Sequence, residues 1–289
     1  MHFGNVSTAM VTPFDSKGNI DLTKTTKLVN YLIENGSDSL VVAGTTGESP
    51  TLSTEEKLAL FRHVVKVVDK RVPVIAGTGS NNTRASIDLT KKAEETGVDA
   101  IMIVAPYYNK PSQEGILAHF KAIAEVTSLP IMAYNVPGRT VVHFTADTVI
   151  ELSKIPNVIA IKDAGGNLGD MSRIIEETED FQLYSGDDGM TLPVLSIGGT
   201  GIVSVASHVI GNEMQQMVTA YKQGRVTEAA RLHRKLLPVM DELFKAPSPA
   251  PVKTALQFKG LDVGSVRLPL LPLNHQQRES LSQVMNISL

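Results

Sequence analysis

Two patterns alternate along the 289 residues. Eight short apolar runs recur, each bounded by Gly, Pro or Asp: VSTAMV from Val6, SLVVAG from Ser39, VPVIAG from Val72, AIMIVAP from Ala100, LPIMAYN from Leu129, VIAIKD from Val158, FQLYSGD from Phe181 and TGIVSV from Thr200. Most are apolar without alternation, which is the mark of parallel strands covered on both faces. Helical patterns lie between them. Leu28, Val29, Leu32 and Ile33 form one stripe, stopped by Asn35-Gly36. Leu58, Phe61, Val64, Val65 and Val68 form another, and Ser53 to Glu56 has the Ser-x-x-Glu spacing of a capping box at its start.

An internal echo links two of these units: ENGSDSLVVA from Glu34 and ETGVDAIMIV from Glu95 share a helix–Gly–strand joint. Eight strands alternating with helices through residue 223 predict an α/β fold, a (β/α)8 TIM barrel, which takes about 250 residues. The rival is a doubly wound sheet. It needs a Gly-rich dinucleotide fingerprint after the first strand, and GTGSNN at Gly77–Asn82 lacks the third glycine. After Gly224 the strand signals stop. VTEAARLHRKLLPVMDELFK, PVKTALQFKG and NHQQRESLSQVMN read as helices, joined by APSPAP and RLPLLPL. The expected division is a catalytic barrel over 1–223 and a C-terminal helical region over 224–289.

Composition narrows the classes. A net charge of −3 and no basic run leave no footprint for nucleic acid or for an anionic membrane. The chain has no cysteine, so disulfides, thiolate catalysis and Cys-ligated metals are excluded, which fits a reducing compartment. The start, MHFGNVSTAMVTPF, lacks the basic and apolar segments of a signal peptide. The longest apolar runs fall short of a membrane span. A cytoplasmic location is expected. The seven histidines show no HExxH or i,i+4 pair, and Asp187-Asp188-Gly189 lacks the alternation of a calcium loop. No metal and no cofactor is expected.

In a barrel the active site lies at the C-terminal ends of the strands. VIAIKDA, Val158–Ala164, delivers Lys162 there after a run that reads as fully buried. The plain reading is a structural lysine paired to a carboxylate. Asp163, however, points to the other side of the strand. Desolvation lowers a lysine pKa, and a neutral amine is a nucleophile toward carbonyls. A Schiff base with an α-keto acid then gives an enamine, a carbon nucleophile made without metal. Tyr134 ends the neighbouring strand; it is a core residue or a proton carrier for such a reaction. Thr45 and Thr46 in GTTGES form a plain turn or a cradle for a small carboxylate. Arg139 in VPGRT is a solvated loop residue or a clamp on a second carboxylate.

With these residues assembled, the chain resembles the dihydrodipicolinate synthases, within the pyruvate-dependent lyases related to N-acetylneuraminate lyase. GTTGESPTL, PVIAGTGSN, PYYNKPSQEGI, YNVPGRT, IKDA, YSGDD and GIVSV carry the resemblance, in the family's order and over nearly the whole chain. It implies condensation of pyruvate with L-aspartate 4-semialdehyde, in lysine and diaminopimelate biosynthesis. Lys162 is then the Schiff-base lysine and Tyr134 the proton-transfer group. Thr45 links Tyr134 to Tyr108, which reaches in from a neighbouring subunit. Thr46 and nearby amides hold the pyruvate carboxylate, Arg139 binds the semialdehyde carboxylate, and Gly186 and the carbonyl of Val203 line the site. The resemblance also implies a homo-oligomer, a tetramer built as a dimer of dimers or a dimer.

One departure stands out. Where two histidines and a glutamate help many members hold inhibitory lysine, this chain has Thr54, Lys57 and Ala85, while Ser49, Asn81 and Tyr107 remain. Weak or absent lysine inhibition is expected. The alternative activity is that of a sibling lyase acting on a sialic acid or a 2-keto-3-deoxy sugar acid. That lyase would keep Lys162 and Tyr134 but need hydroxyl-reading groups in place of Arg139. A keto-acid-binding barrel without catalysis would dispense with Lys162 or Tyr134.

Overall fold

The computed structural model describes residues 1–287; the last two residues of the expected 224–289 region lie outside the described residues. Eight parallel strands close into a barrel in sequence order, β1 (Val6–Ala9), β2 (Ser39–Val42), β3 (Val74–Gly77), β4 (Ala100–Val104), β5 (Ile131–Asn135), β6 (Val158–Asp163), β7 (Gln182–Ser185) and β8 (Gly201–Ser204). Around them run α1 (Leu22–Glu34), α2 (Thr54–Val68), α3 (Thr83–Glu94), α4 (Gln113–Ala124), the single turn α5 (Pro137–Thr140), α6 (Ala146–Ser153), α7 (Leu168–Glu177), α8 (Thr191–Ser196) and α9 (Ser207–Lys222). Then follow α10 (Val226–Glu242), α11 (Ala250–Phe258) and α12 (His275–Val284). The doubly wound rival is excluded by closure of β8 on β1.

Local chemistry sets the boundaries. The predicted capping box opens α2: Ser53 Oγ accepts from Glu56 N, and Glu56 returns the bond to Ser53 N. Asn35 closes α1 after its buried stripe of Leu28, Val29 and Leu32. Asp21, Asn82, Ser112 and Thr145 each accept a backbone N–H at the start of α1, α3, α4 and α6.

The apolar runs are buried on both faces because the barrel has two cores. Outward residues such as Ile103, Ala133 and Ile161 pack under the helices. Inward residues such as Val41, Ile75, Met132, Ala160, Tyr184 and Val203 fill the barrel. The two strands that matter most for the site are not in simple register. Ile131 pairs with Val158 but Met132 pairs with Ala160, so Ile159 is an extra residue, a bulge. The shift makes Tyr134 level with Lys162 and Asn135 level with Asp163. Without it Tyr134 would lie level with Ile161, because one residue of slip changes the face each side chain takes.

The C-terminal segment packs closely. α10 lies along α9, and the chain then returns across the open end of the barrel. Phe14 N donates to Val263 O. Lys253 on α11 pairs with Glu48 in the loop after β2, and Arg267 pairs with Glu56 on α2.

Candidate active site

A cavity of about 570 Å3 opens at the C-terminal ends of the strands. Thr45, Thr46, Tyr134, Arg139, Lys162 and Gly186 all face it. A second cavity of about 250 Å3 adjoins it, sharing Thr45, Tyr134, Val136 and Arg139, and continues to Ser49, Lys57, Ser80 and Tyr107. Six of the eight predicted site residues therefore line one space. The other two stand apart. Val203 is buried in the core inside the barrel, in the same cluster as Tyr134, and does not line the cavity. Tyr108 lies outside it, 86% exposed, on a backbone with φ of +73°.

Lys162 is 5% exposed, yet among the described residues no carboxylate lies within ion-pair distance of its amine and no group hydrogen-bonds it. Its Nζ sits 4.1 Å from the centroid of the Tyr134 ring. A cation over a ring face gains about 1–2 kcal/mol, far less than a carboxylate supplies to a buried ammonium. Gly186 gives the lysine its path. A Cβ there would lie 3.1 Å from Lys162 Cε and 2.9 Å from Ala164 Cβ, so only glycine lets the side chain pass into the cavity.

Behind this face, on the helix side of the same strand ends, a second pair is fixed by the same register. Asn135 Nδ2 donates to Asp163 Oδ2 at 2.8 Å, and Gly165 N donates to Asp163 Oδ1 at 2.7 Å. Asn135 Oδ1 accepts from Phe144 N. Both side chains are buried, and burial raises the Asp163 pKa above the usual carboxylate range while the Asn135 bond opposes it. Asp163 is thus occupied away from Lys162, as the strand alternation predicts.

The GTTGES turn follows β2. Glu48 N donates to Thr45 O, Ser49 N to Gly44 O, and Thr12 Oγ1 to Gly47 O. Thr46 is buried and Thr45 half-buried, both facing the cavity. Arg139 sits on α5, exposed and without a carboxylate partner among the described residues, where the two cavities meet. Its charge is free for a ligand anion.

Residues near the end of the chain complete the wall: Met240, Asp241, Phe244, Lys245 and Ser248 face the larger cavity. No local signal in the sequence marks them, since long-range packing of α10 brings them there. Among the described residues no group of three or more His, Asp or Glu is placed to hold a metal ion. No helix among them is long and apolar enough to cross a membrane.

Fold and site together define a (β/α)8 barrel with an unpaired amine at the strand ends of its active-site face. The family model of the dihydrodipicolinate synthetases matches residues 2–288, and the chain belongs to that family. It is 67% identical over 288 residues to the 4-hydroxy-tetrahydrodipicolinate synthase of Bacillus subtilis, covering 99% of each chain. A crystal structure of a dihydrodipicolinate synthase from Bacillus anthracis superposes with a TM-score of 0.98 at 68% identity, over 99% of this chain and 98% of the other. A lysine-bound dihydrodipicolinate synthase from Cyanidioschyzon merolae superposes at 0.97 with 47% identity, over 99% and 98%.

Proposed function

We infer that the chain condenses pyruvate with L-aspartate 4-semialdehyde to 4-hydroxy-tetrahydrodipicolinate, the activity named for its Bacillus relatives. The observation that carries the chemistry is the buried, unpaired Lys162 facing a cavity over the Tyr134 ring. As a neutral amine, Lys162 adds to the ketone carbon of pyruvate. The carbinolamine loses water to give an imine, with Tyr134 carrying protons to and from the oxygen. Loss of a methyl proton gives an enamine. Its carbon attacks the aldehyde, whose oxygen takes up a proton. The substrate amine then attacks the imine carbon and displaces Lys162, closing the ring and freeing the enzyme.

Thr46 and the amides of its turn hold the pyruvate carboxylate, and Arg139 holds that of the semialdehyde. An arginine that no carboxylate among the described residues occupies suits an acidic second substrate better than a sugar chain, which disfavours the sialic-acid reading. Tyr108, exposed on its own protomer, completes the site of a neighbouring copy in a homo-oligomer, a dimer or a dimer of dimers. The site works in the cytoplasm, without cofactor. Lys57 on the wall of the smaller cavity repels a cationic effector, so lysine inhibits weakly or not at all; submillimolar inhibition in a steady-state assay would overturn this.

Borohydride reduction with pyruvate tests the inference, with mass spectrometry locating the adduct on Lys162. Coupled assays then compare aspartate semialdehyde with sialic acid. An adduct on another residue ends the mechanism, and turnover of sialic acid alone ends the substrate assignment.

A further inference from the structure

The turn that carries Thr45 and Thr46 is tied down from the far end of the chain. Directly after it, Glu48 adopts φ of +57°, a left-handed conformation that a side chain other than glycine holds only when its surroundings fix it. The surroundings are a buried knot of charge. The Glu48 and Lys253 side chains are 0% and 3% exposed, with Lys253 Nζ 2.7 Å from Glu48 Oε1. That contact is poorly aligned as a hydrogen bond and is held by charge. Arg267 N donates to Glu48 Oε2 at 2.8 Å.

Both cations are fixed in turn. Lys253 Nζ donates to Ser265 O at 2.7 Å. Lys253 and Arg267 stack on one ring, 4.2 Å and 4.4 Å from the Phe14 centroid. The Arg267 guanidinium donates to Gly18 O, Thr51 O and Glu56. Residues after β1, after β2, on α11 and on the segment beyond it thus meet in one cluster, with Lys253 and Arg267 N on the Glu48 carboxylate and Phe14 and Gly18 on the two cations. A buried ion pair is poor evidence of stability, since an apolar pair of equal volume often does as well. What it supplies is direction: each charge accepts one arrangement of its neighbours.

We propose that Glu48, Lys253 and Arg267 are positioning residues that set the Thr45–Thr46 turn at the height where it receives the keto-acid carboxylate. The C-terminal segment thereby controls pyruvate affinity without touching pyruvate. This rests on the reading that the turn holds that carboxylate.

The double variant Glu48→Gln/Lys253→Met removes both charges at similar volume. A displaced turn raises the pyruvate KM about tenfold, with kcat at saturating pyruvate and the semialdehyde KM both within about threefold. Borohydride trapping at saturating pyruvate stays complete, because Lys162 and Tyr134 sit on other strands. Glu48→Gln alone keeps the shape and an acceptor for Arg267 N; it moves the pyruvate KM in the same direction, by about threefold. It serves if the double variant fails to fold. Thr46→Val separates the premises. If Thr46→Val raises the pyruvate KM and the folded clamp variants do not, the clamp is overturned. If the clamp variants raise it and Thr46→Val does not, the clamp stands and the assignment of Thr46 falls. Equal losses of kcat with no change in KM overturn the clamp.

Discussion

Two lysines of this chain are buried almost equally, and they have opposite fates. Lys162 and Lys253 are 5% and 2% exposed. Each ammonium lies about one ring-contact distance from an aromatic face, 4.1 Å over Tyr134 and 4.2 Å over Phe14. Lys253 has Glu48 and a backbone carbonyl, and it does not line the active-site cavity. Among the described residues Lys162 has neither kind of partner, and it faces the larger of the two cavities at the strand ends. The paired lysine is sealed into the architecture. The unpaired one is left for a ligand to satisfy. Burial and aromatic contact are common to both, so neither marks the reactive residue. The missing carboxylate and the open cavity do.

The largest effects come from removing each amine in turn. Lys162→Met leaves an apolar side chain over the Tyr134 ring and strands no charge. Activity falls to background and the borohydride adduct disappears, while the melting temperature stays within about 3 °C of the parent. Lys253→Met strands the Glu48 carboxylate in a dry site, at a cost of about 3–5 kcal/mol. In a chain of this size that lowers the melting temperature by about 6–12 °C. Thermal melts beside trapping assays check both. If Lys162→Met were the less stable of the two, the division into a reactive and a structural amine would fail.

How much of this division could be read from sequence depends on range. The eight strands were legible because a parallel barrel demands unbroken apolar runs, and the chain supplies eight. Lys162 was legible because it ends such a run, and Asp163 because a strand alternates. The Ile159 bulge was not: in VIAI every residue suits either face, so nothing marks where one is added. The Glu48–Lys253 pair was illegible for a different reason. Its partners come from opposite ends of the chain, and PVK reads as an ordinary helix start. The cavity wall from Met240 to Ser248 was missed likewise, as no short-range pattern tells a helix that it will cover a barrel mouth.

Arg139 sharpens the comparison, being another cation without a carboxylate partner among the described residues at this end of the barrel. Arg139→Ala raises the KM for the semialdehyde by about ten- to a hundredfold, the scale of one lost charged hydrogen bond, and the KM for pyruvate by less than about threefold. Steady-state kinetics with each substrate varied in turn decides it. Equal effects on both would return Arg139 to the solvated loop. Asp163→Ala probes the paired side instead. It leaves Asn135 Nδ2 and Gly165 N without their acceptor, costing about 1–3 kcal/mol in a melt. It loosens the register that sets Tyr134 against Lys162, so kcat falls several-fold. An unchanged kcat in a destabilised variant would make the pair purely structural.

The smallest effect concerns a third way to bury a base, which is to keep it neutral. His208 is fully buried behind β1 and β8. Its Nδ1–H donates to Val205 O at 2.8 Å, and its Nε2 accepts from Val11 N at 3.1 Å. Both nitrogens are satisfied only in the uncharged ring. Burial lowers its pKa to about 4, from 6.5. The folded value lies below the unfolded one, so between pH 6.5 and 4 the unfolded chain binds the extra proton. The contribution to stability is whole above pH 6.5 and drains away as pH falls toward 4. From pH 7 to pH 5 this one ring removes about 2 kcal/mol. His208→Gln can offer an acceptor to Val11 N and a donor to Val205 O without titrating. Melts of parent and variant at pH 7 and pH 5 should show a drop about 4 °C smaller in the variant. Equal drops would mean that His208 carries no charge change on unfolding, and that acid stability is set by other groups such as Glu56, whose pKa its bond to Arg267 lowers.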